Sequence, residues 1–116
     1  MSEKQADAIE LEQGGEYRRA YADRSSTIKA NATSQLLAAE NPKRRALFIQ
    51  NLSTDPLFIR FVDNAIEQPA VIGAPGTIKI LPDNELDLDL LTDFVDTRAI
   101  VIIGATAGDV YTALEA

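Results

Sequence analysis

The stretch "PKRRALFIQNLSTDPLFIRF", Pro42 to Phe61, holds two short apolar runs, Ala46 to Asn51 and Leu57 to Phe61, around a polar turn, Ser53 to Pro56. In the second run Leu57, Ile59 and Phe61 alternate with Phe58, Arg60 and Val62. A period of two sends successive side chains to opposite faces, so the stretch predicts two strands joined by a tight link. Such a pair either lines a ligand site or closes a core, and the rest of the chain favours the core.

The same period recurs from Ser25 onward. "STIKA" (Ser26 to Ala30) and "SQLLA" (Ser34 to Ala38) precede the opening stretch. "TIKIL" (Thr77 to Leu81), "ELDLDLL" (Glu85 to Leu91), "AIVIIG" (Ala99 to Gly104) and "DVYTALE" (Asp109 to Glu115) follow it. Eight candidate strands in about ninety residues match the spacing of an antiparallel sandwich or barrel. Ile78 and Ile80 oppose Thr77 and Lys79, while Leu86, Leu88 and Leu90 oppose Asp87 and Asp89, giving these strands, like Leu57 to Val62, one wet face. "ALFIQN" and "AIVIIG" are apolar on both faces, which predicts central strands or strands covered by another element or a neighbouring subunit.

The length of each link indicates what it connects. "NLSTDP", "PDNE" (Pro82 to Glu85) and "GATAGD" (Gly104 to Asp109) are short and rich in turn formers, so they read as antiparallel hairpins. The longer Asp63 to Gly76 connection, with Pro69, Gly73, Pro75 and Gly76, reads as a loop crossing between sheets. The expected fold is an all-β, jelly-roll-like antiparallel sandwich of about eight strands over residues 25–116, preceded by an extended or partly helical arm over residues 1–24.

A chain of 116 residues suits one domain. Cysteine and histidine are both absent. That removes disulfides, thiolate metal sites, the usual base near neutral pH and the Ser/His and Cys/His nucleophile pairs, so catalysis is disfavoured and no cofactor is expected. A net charge of −7 and a pI near 4.4 oppose generic nucleic-acid binding. No run approaches the roughly 18 apolar residues of a membrane span, and the N-terminus is acidic where a signal peptide is basic and then apolar. The expectation is a soluble protein made in the cytosol, with neither nucleic acid nor membrane as partner.

The arm has segregated charge. Residues 1–16 hold five acids and one base, whereas "YRRAYADR", Tyr17 to Arg24, holds three arginines and one acid. Capping-box spacing from Ser2 to Gln5 predicts a short helix from Glu3 to Gln13, stopped by Gly14 and Gly15. Tyr17, Ala20 and Tyr21 fall at helical spacing beside Arg18 and Arg24, an aromatic and basic contact segment if docked and a solvated tail if not.

Elsewhere the strongest local pattern is acidic. Asp83, Glu85, Asp87 and Asp89 share one face; four carboxylates in a row could bind a hard cation such as Ca²⁺, but the spacing does not match an EF-hand, and a row of like charges reads as a solvated face that discourages edge pairing. A glycosidase-like carboxylate pair lacks a cleft and tryptophan. "GAPG" lacks the Lys-Ser/Thr of a phosphate loop. Lys43, Arg44 and Arg45 form a basic cluster that either meets an acidic neighbour or keeps a loop soluble.

The three segments "RRALFIQNLSTDPLFIRF", "GTIKILPDNELDLD" and "AIVIIGATAGDVYTALEA" together resemble small virion proteins of tailed bacteriophages. In those proteins an Arg-led strand ends in Asn-x-Ser, a Pro-containing strand-turn-strand follows, and an apolar strand with a "G…V…E" hairpin closes the chain. The resemblance spans Arg44 to Glu115 and implies a β-sandwich subunit of the capsid exterior or tail, often trimeric, with no catalytic residues. The arm has no counterpart in that pattern. The leading expectation is a capsid decoration, or cement, subunit on the virion surface that oligomerises and docks on the major capsid protein. Its expected contact residues are Tyr17, Arg18, Arg19, Tyr21, Arg24, Lys43, Arg44 and Arg45. The alternatives are a head-tail connector or tail subunit and a carbohydrate-binding sandwich, the latter disfavoured by the absence of tryptophan. An enzyme working through carboxylates comes last.

Overall fold

The computed structural model describes residues 21–116, which form nine strands and no helix. They are β1 (Ala22–Asp23), β2 (Ser26–Thr27), β3 (Gln35–Ala38), β4 (Ala46–Asn51), β5 (Leu57–Val62), β6 (Ile78–Ile80), β7 (Glu85–Asp89), β8 (Ala99–Gly104) and β9 (Val110–Glu115). Each of the eight strands expected from alternation is present. The addition is β1, whose Ala22 and Asp23 pair with Glu115 and Leu114. The last residues of the arm segment therefore belong to a sheet and not to a helix. The helix expected from Glu3 to Gln13 lies outside the described residues.

The antiparallel pairings follow one rule: β2 with β9, β3 with β8, β4 with β7, and β5 with β6. These are the rungs of a single long hairpin whose tip is the β5–β6 link. Rolling that hairpin over places consecutive strands from β2 to β9 in alternate sheets, except β5 and β6 at the tip, and the ladders β4·β9 and β5·β8 join the rolled layers. Sheet I has the order β1-β9-β4-β7, with β2 also on β9, and sheet II the order β3-β8-β5-β6. Counting β1 and β2 as two pieces of one interrupted strand, this is a two-sheet, eight-stranded jelly roll.

The roll reverses the expected roles of the links. "NLSTDP", "PDNE" and "GATAGD" are not hairpin turns, because β4 and β5, β6 and β7, and β8 and β9 lie in different sheets. Each is an arch between layers. The 63–77 link, expected to cross, instead joins two neighbours of sheet II. Turn composition reports that the chain bends, whereas the partner on either side of the bend is set by long-range ladders that composition does not encode. Asp83 in the β6–β7 arch adopts φ 65°, a left-handed geometry that Asp tolerates better than most residues.

Alternation then assigns the core. Leu47 and Ile49 of β4, Leu57 and Ile59 of β5, Ile100 and Ile102 of β8, and Tyr111 and Ala113 of β9 meet between the sheets with Ile28, Leu37 and Ile80. Leu86 and Leu88 of β7 pack against the margin of this cluster. A second cluster explains the strand that is apolar on both sides. Val101 and Ile103, with Phe58 and Val62, form the outer face of sheet II and are roofed by Ala65 and Ala70 of the 63–77 link. The cover is the chain's own loop, so the expected wet face of β5 is largely dry. β4 and β8 are both central strands.

Gly104 closes the inner face of β8. A Cβ there would lie 2.7 Å from Leu57 Cδ2 and 3.0 Å from Ile28 Cγ1. Gly104→Val is expected to lower the free energy of unfolding by about 1–3 kcal/mol through overpacking. Urea denaturation, with an unchanged slope, checks it.

Candidate functional site

One buried polar residue stands two positions before β4 and another ends it, and these two positions organise the opposite ends of the sandwich. Arg44, one residue before Arg45 and the strand, is 2% exposed. Its Nε donates to Glu115 Oε1 at 2.7 Å. Its Nη1 donates to the carbonyls of Asp96 and Arg98, each at 2.8 Å, and Nη2 to the carbonyl of Ala39 at 3.1 Å. Four of the five guanidinium N–H groups are thus engaged, and they reach across from sheet I to the segments flanking β3 and β8 of sheet II. Only the planar guanidinium offers donors in that spread, which a lysine does not.

Glu115, 3% exposed, is the matching anion on the inner face of β9. Arg24 Nε donates to its Oε2 at 2.9 Å, and Asn41 Nδ2 to its Oε1 at 3.4 Å. Burial alone raises the Glu115 carboxyl, but the hydrogen bonds from Arg44 and Arg24, the charge of Arg44 and the Asn41 amide outweigh it, and the group sits below the usual glutamate range. The cluster reads as a clamp. Every partner of the guanidinium is a carbonyl or this carboxylate, which leaves no free base or acid to act on a substrate.

Asn51 closes the other end. Fully buried, it donates from Nδ2 to the carbonyls of Asp55 at 2.7 Å and Ile80 at 2.9 Å, while its Oδ1 accepts from Ser53 N and Ser53 Oγ. Its backbone accepts from Asp83 N and donates to Asn84 O. One residue therefore ties the β4–β5 arch to the β6–β7 arch. The Arg-led strand ending in Asn-x-Ser is a description of these two clamps, so the motif that carries the virion-protein resemblance is a structural one.

A strained carboxylate lies near the same end. Asp109 Oδ2 is buried without a hydrogen-bond partner. Burial first, then the neighbouring Asp55 carboxylate, push the Asp109 carboxyl above its ordinary value.

The expected contact residues scatter. Tyr17, Arg18 and Arg19 lie outside the described residues. Tyr21 is 48% exposed. Arg24 is half exposed and holds Glu115. Lys43 and Arg45 face solvent while Arg44 between them points inward; strict alternation back from Leu47 and Ile49 would place Arg45 inside, and the parity changes where Arg45 N and Ala46 N both donate to the Ala116 carbonyl. Arg44 is corrected from a surface contact to a core clamp, because its side chain is buried and four of its five guanidinium N–H groups are engaged within the subunit. Sequence alone did not separate it from its neighbours, although its even spacing from Ala46 was not the informative signal; the long-range partner Glu115 was.

Glu85, Asp87 and Asp89 do share the outer face of β7, an edge of sheet I. Among the described residues no group of three or more Asp, Glu, His or Cys is placed to hold a metal ion. The described residues form two shallow grooves, among others. One, of about 480 Å³, is lined by Pro42, Lys43, Arg44, Arg45, Leu90, Val95 and Thr97. The other, of about 430 Å³, runs between the 32–34 and 69–72 segments beside Ile103. Neither groove is lined by a carboxylate, so neither assembles an acid–base pair.

No protein-family model and no curated protein matches the chain. A solved structure described as "Bacillus endospore appendages form a novel family of disulfide-linked pili" is similar to it, with a TM-score of 0.45 and 16% sequence identity over 91% of this chain and 94% of that one.

Two predictions test the clamps. Arg44→Ala leaves a buried carboxylate with its main partner gone and is expected to destabilise the fold by about 3–5 kcal/mol, measured by urea unfolding at neutral pH. The two perturbed carboxylates titrate with opposite sign. Glu115, lowered on folding, contributes stability that is complete above the unfolded glutamate value of about 4.3 and is lost as pH falls through its folded value. Asp109, raised on folding, contributes stability at acid pH that is lost as pH rises through its folded value. Asp109→Asn, whose amide can donate to Asp55, is expected to raise the melting temperature at pH 7 and leave it unchanged at pH 3, which a pair of thermal melts checks.

Proposed function

We propose that the protein is a structural subunit that works by contact and assembles with copies of itself and, in its finer form, a capsid decoration subunit of a tailed bacteriophage that docks on the major capsid protein at the virion surface. The observation that supports the assembly reading is the exposure of large apolar side chains on two separate loops. Ile66 is 91% exposed on the 63–77 link, and Leu91 and Phe94 are each 81% exposed between β7 and β8. Isolated exposed leucines are ordinary, but such clusters on a well-ordered body are what an interface leaves bare in the free subunit.

The body suits this role. Its buried polar groups are committed to holding the two ends of the roll closed, so the variable chemistry lies on loops and the outer faces. A jelly roll by itself fixes no function, since the same fold serves capsids, lectins and enzymes. The phage assignment rests on the resemblance of the Arg44 to Glu115 segments to small virion proteins, and the absence of histidine and cysteine supports a role without catalysis. In this reading subunits bury area between capsomers and stabilise the shell against internal pressure.

Sedimentation velocity of the full chain, alone and with phage heads, tests the reading. An oligomer that co-sediments with heads at capsomer copy number is the expected result. Tens of copies per particle would move the protein to the connector or tail, and a monomer that ignores heads would contradict an assembly role. An arm deletion used alongside should stop at residue 20, because Ala22, Asp23 and Arg24 belong to sheet I and to the Glu115 clamp.

A further inference from the structure

The two sheets differ in what covers their outer faces. The 63–77 link roofs sheet II, whereas Phe48 and Leu114, central on the outer face of sheet I, belong to neither buried cluster. The ladders set Asp23, Leu114, Phe48 and Asp87 in one row across this face. The next row holds Thr112, Gln50 and Glu85. Val110, 44% exposed, extends the apolar strip along β9. The face is therefore apolar at its centre and acidic along the β7 edge, where Glu85 and Asp87 are exposed and engaged by no ion pair among the described residues.

The sequence holds a segment of complementary chemistry just outside the described residues: Tyr17-Arg18-Arg19-Ala20, one aromatic and two cations with no acid. Arginine both pairs with carboxylates and stacks on aromatic rings, so this segment matches a phenylalanine flanked by Asp87 and Glu85. The geometry at Tyr21 favours a face on another molecule. β9 runs toward Glu115 and β1 runs antiparallel to it, so the described chain enters at the Glu115 end of the sandwich. Asp87 lies three strand spacings, about 14 Å, from β1 along that row, so Arg18 and Arg19 of the same molecule, three and two residues before Tyr21, would have to reverse direction at once and span the sheet.

We propose that the outer face of sheet I is a docking surface for residues 17–20 of a second copy of this chain, with Arg18 and Arg19 against Glu85 and Asp87 and the tyrosine on the Phe48–Leu114 strip. The proposal rests on the self-assembly reading above and names its contact. The surface that gives and the surface that receives are different, so the contact is heterologous and builds a ring or an open chain, not a two-fold dimer. Because opposite charges meet at an exposed rim, association weakens as salt rises.

Charge reversal tests it by sedimentation velocity over a concentration series, at low and high salt, on the full chain. Arg18→Glu with Arg19→Glu changes two residues that precede the described ones, with the far-ultraviolet circular dichroism spectrum as the check on folding, and Glu85→Lys with Asp87→Lys changes only exposed side chains of an edge strand. Each pair is expected to weaken self-association by at least about tenfold, and the four changes combined to recover most of it. If the unaltered chain associates and either pair leaves the association constant unchanged, the docking surface is wrong while the assembly reading survives. If the unaltered chain stays monomeric throughout, both fall.

Discussion

The contact on which the rest of the structure depends is the buried pair of Arg44 and Glu115. A rolled hairpin brings the two sheets together through apolar side chains, which set a distance but no unique end to the sandwich. At the Glu115 end the carbonyls of Ala39, Asp96 and Arg98 all turn inward as the chain passes between layers. Without the Arg44 donor these part-buried carbonyls would each lose a hydrogen bond, worth about 0.5–1.5 kcal/mol apiece, more when the donor is charged. One guanidinium answers all three and is neutralised by Glu115, so the cost of burying the cation is offset by the groups it satisfies. Asn51 does the neutral equivalent at the other end. The strand between them, β4, sits at the centre of sheet I because both its ends are fixed.

Local order was legible in the sequence and long-range pairing was not. A period of two located all eight expected strands and the split of Leu57 and Ile59 from Phe58 and Val62, because side-chain direction in a strand is a local property. The links were misread because "NLSTDP" composes an arch as readily as a hairpin turn; which it becomes depends on whether β5 pairs with β4 or with β8. The pairing with β8 is stabilised by a ladder from Leu57↔Gly104 to Val62↔Ala99, forty residues or so downstream in sequence. The apolar outer face of β8 was visible, but its cover, Ala65 and Ala70, lies in a link with no strand period to signal that it packs.

The candidate contact residues show the same division. Lys43, Arg44 and Arg45 look alike as a run of cations, yet only Arg44 falls where an inward side chain meets Glu115, seventy-one residues away. An arginine before a strand and a glutamate near the end of the last one are each unremarkable alone. Their coupling becomes readable once β4 and β9 are known to be neighbours, with Leu47 paired to Glu115. The surface tells the complementary story: Glu85 and Asp87 stand on the open face of an edge strand as alternation indicated, which both discourages edge-to-edge pairing and marks the face that a basic segment fits.

Whether the Arg44–Glu115 clamp holds the two sheets as a unit is tested most directly by a double-mutant cycle on Arg44→Met and Glu115→Leu, with unfolding free energies from urea titration at pH 7. The clamp predicts strong coupling: each single change leaves an unpaired buried charge and costs several kcal/mol, about 3–5 by comparison with other buried pairs, while the double change costs far less than their sum. Additive effects, with the double variant as damaged as the two singles together, would contradict it.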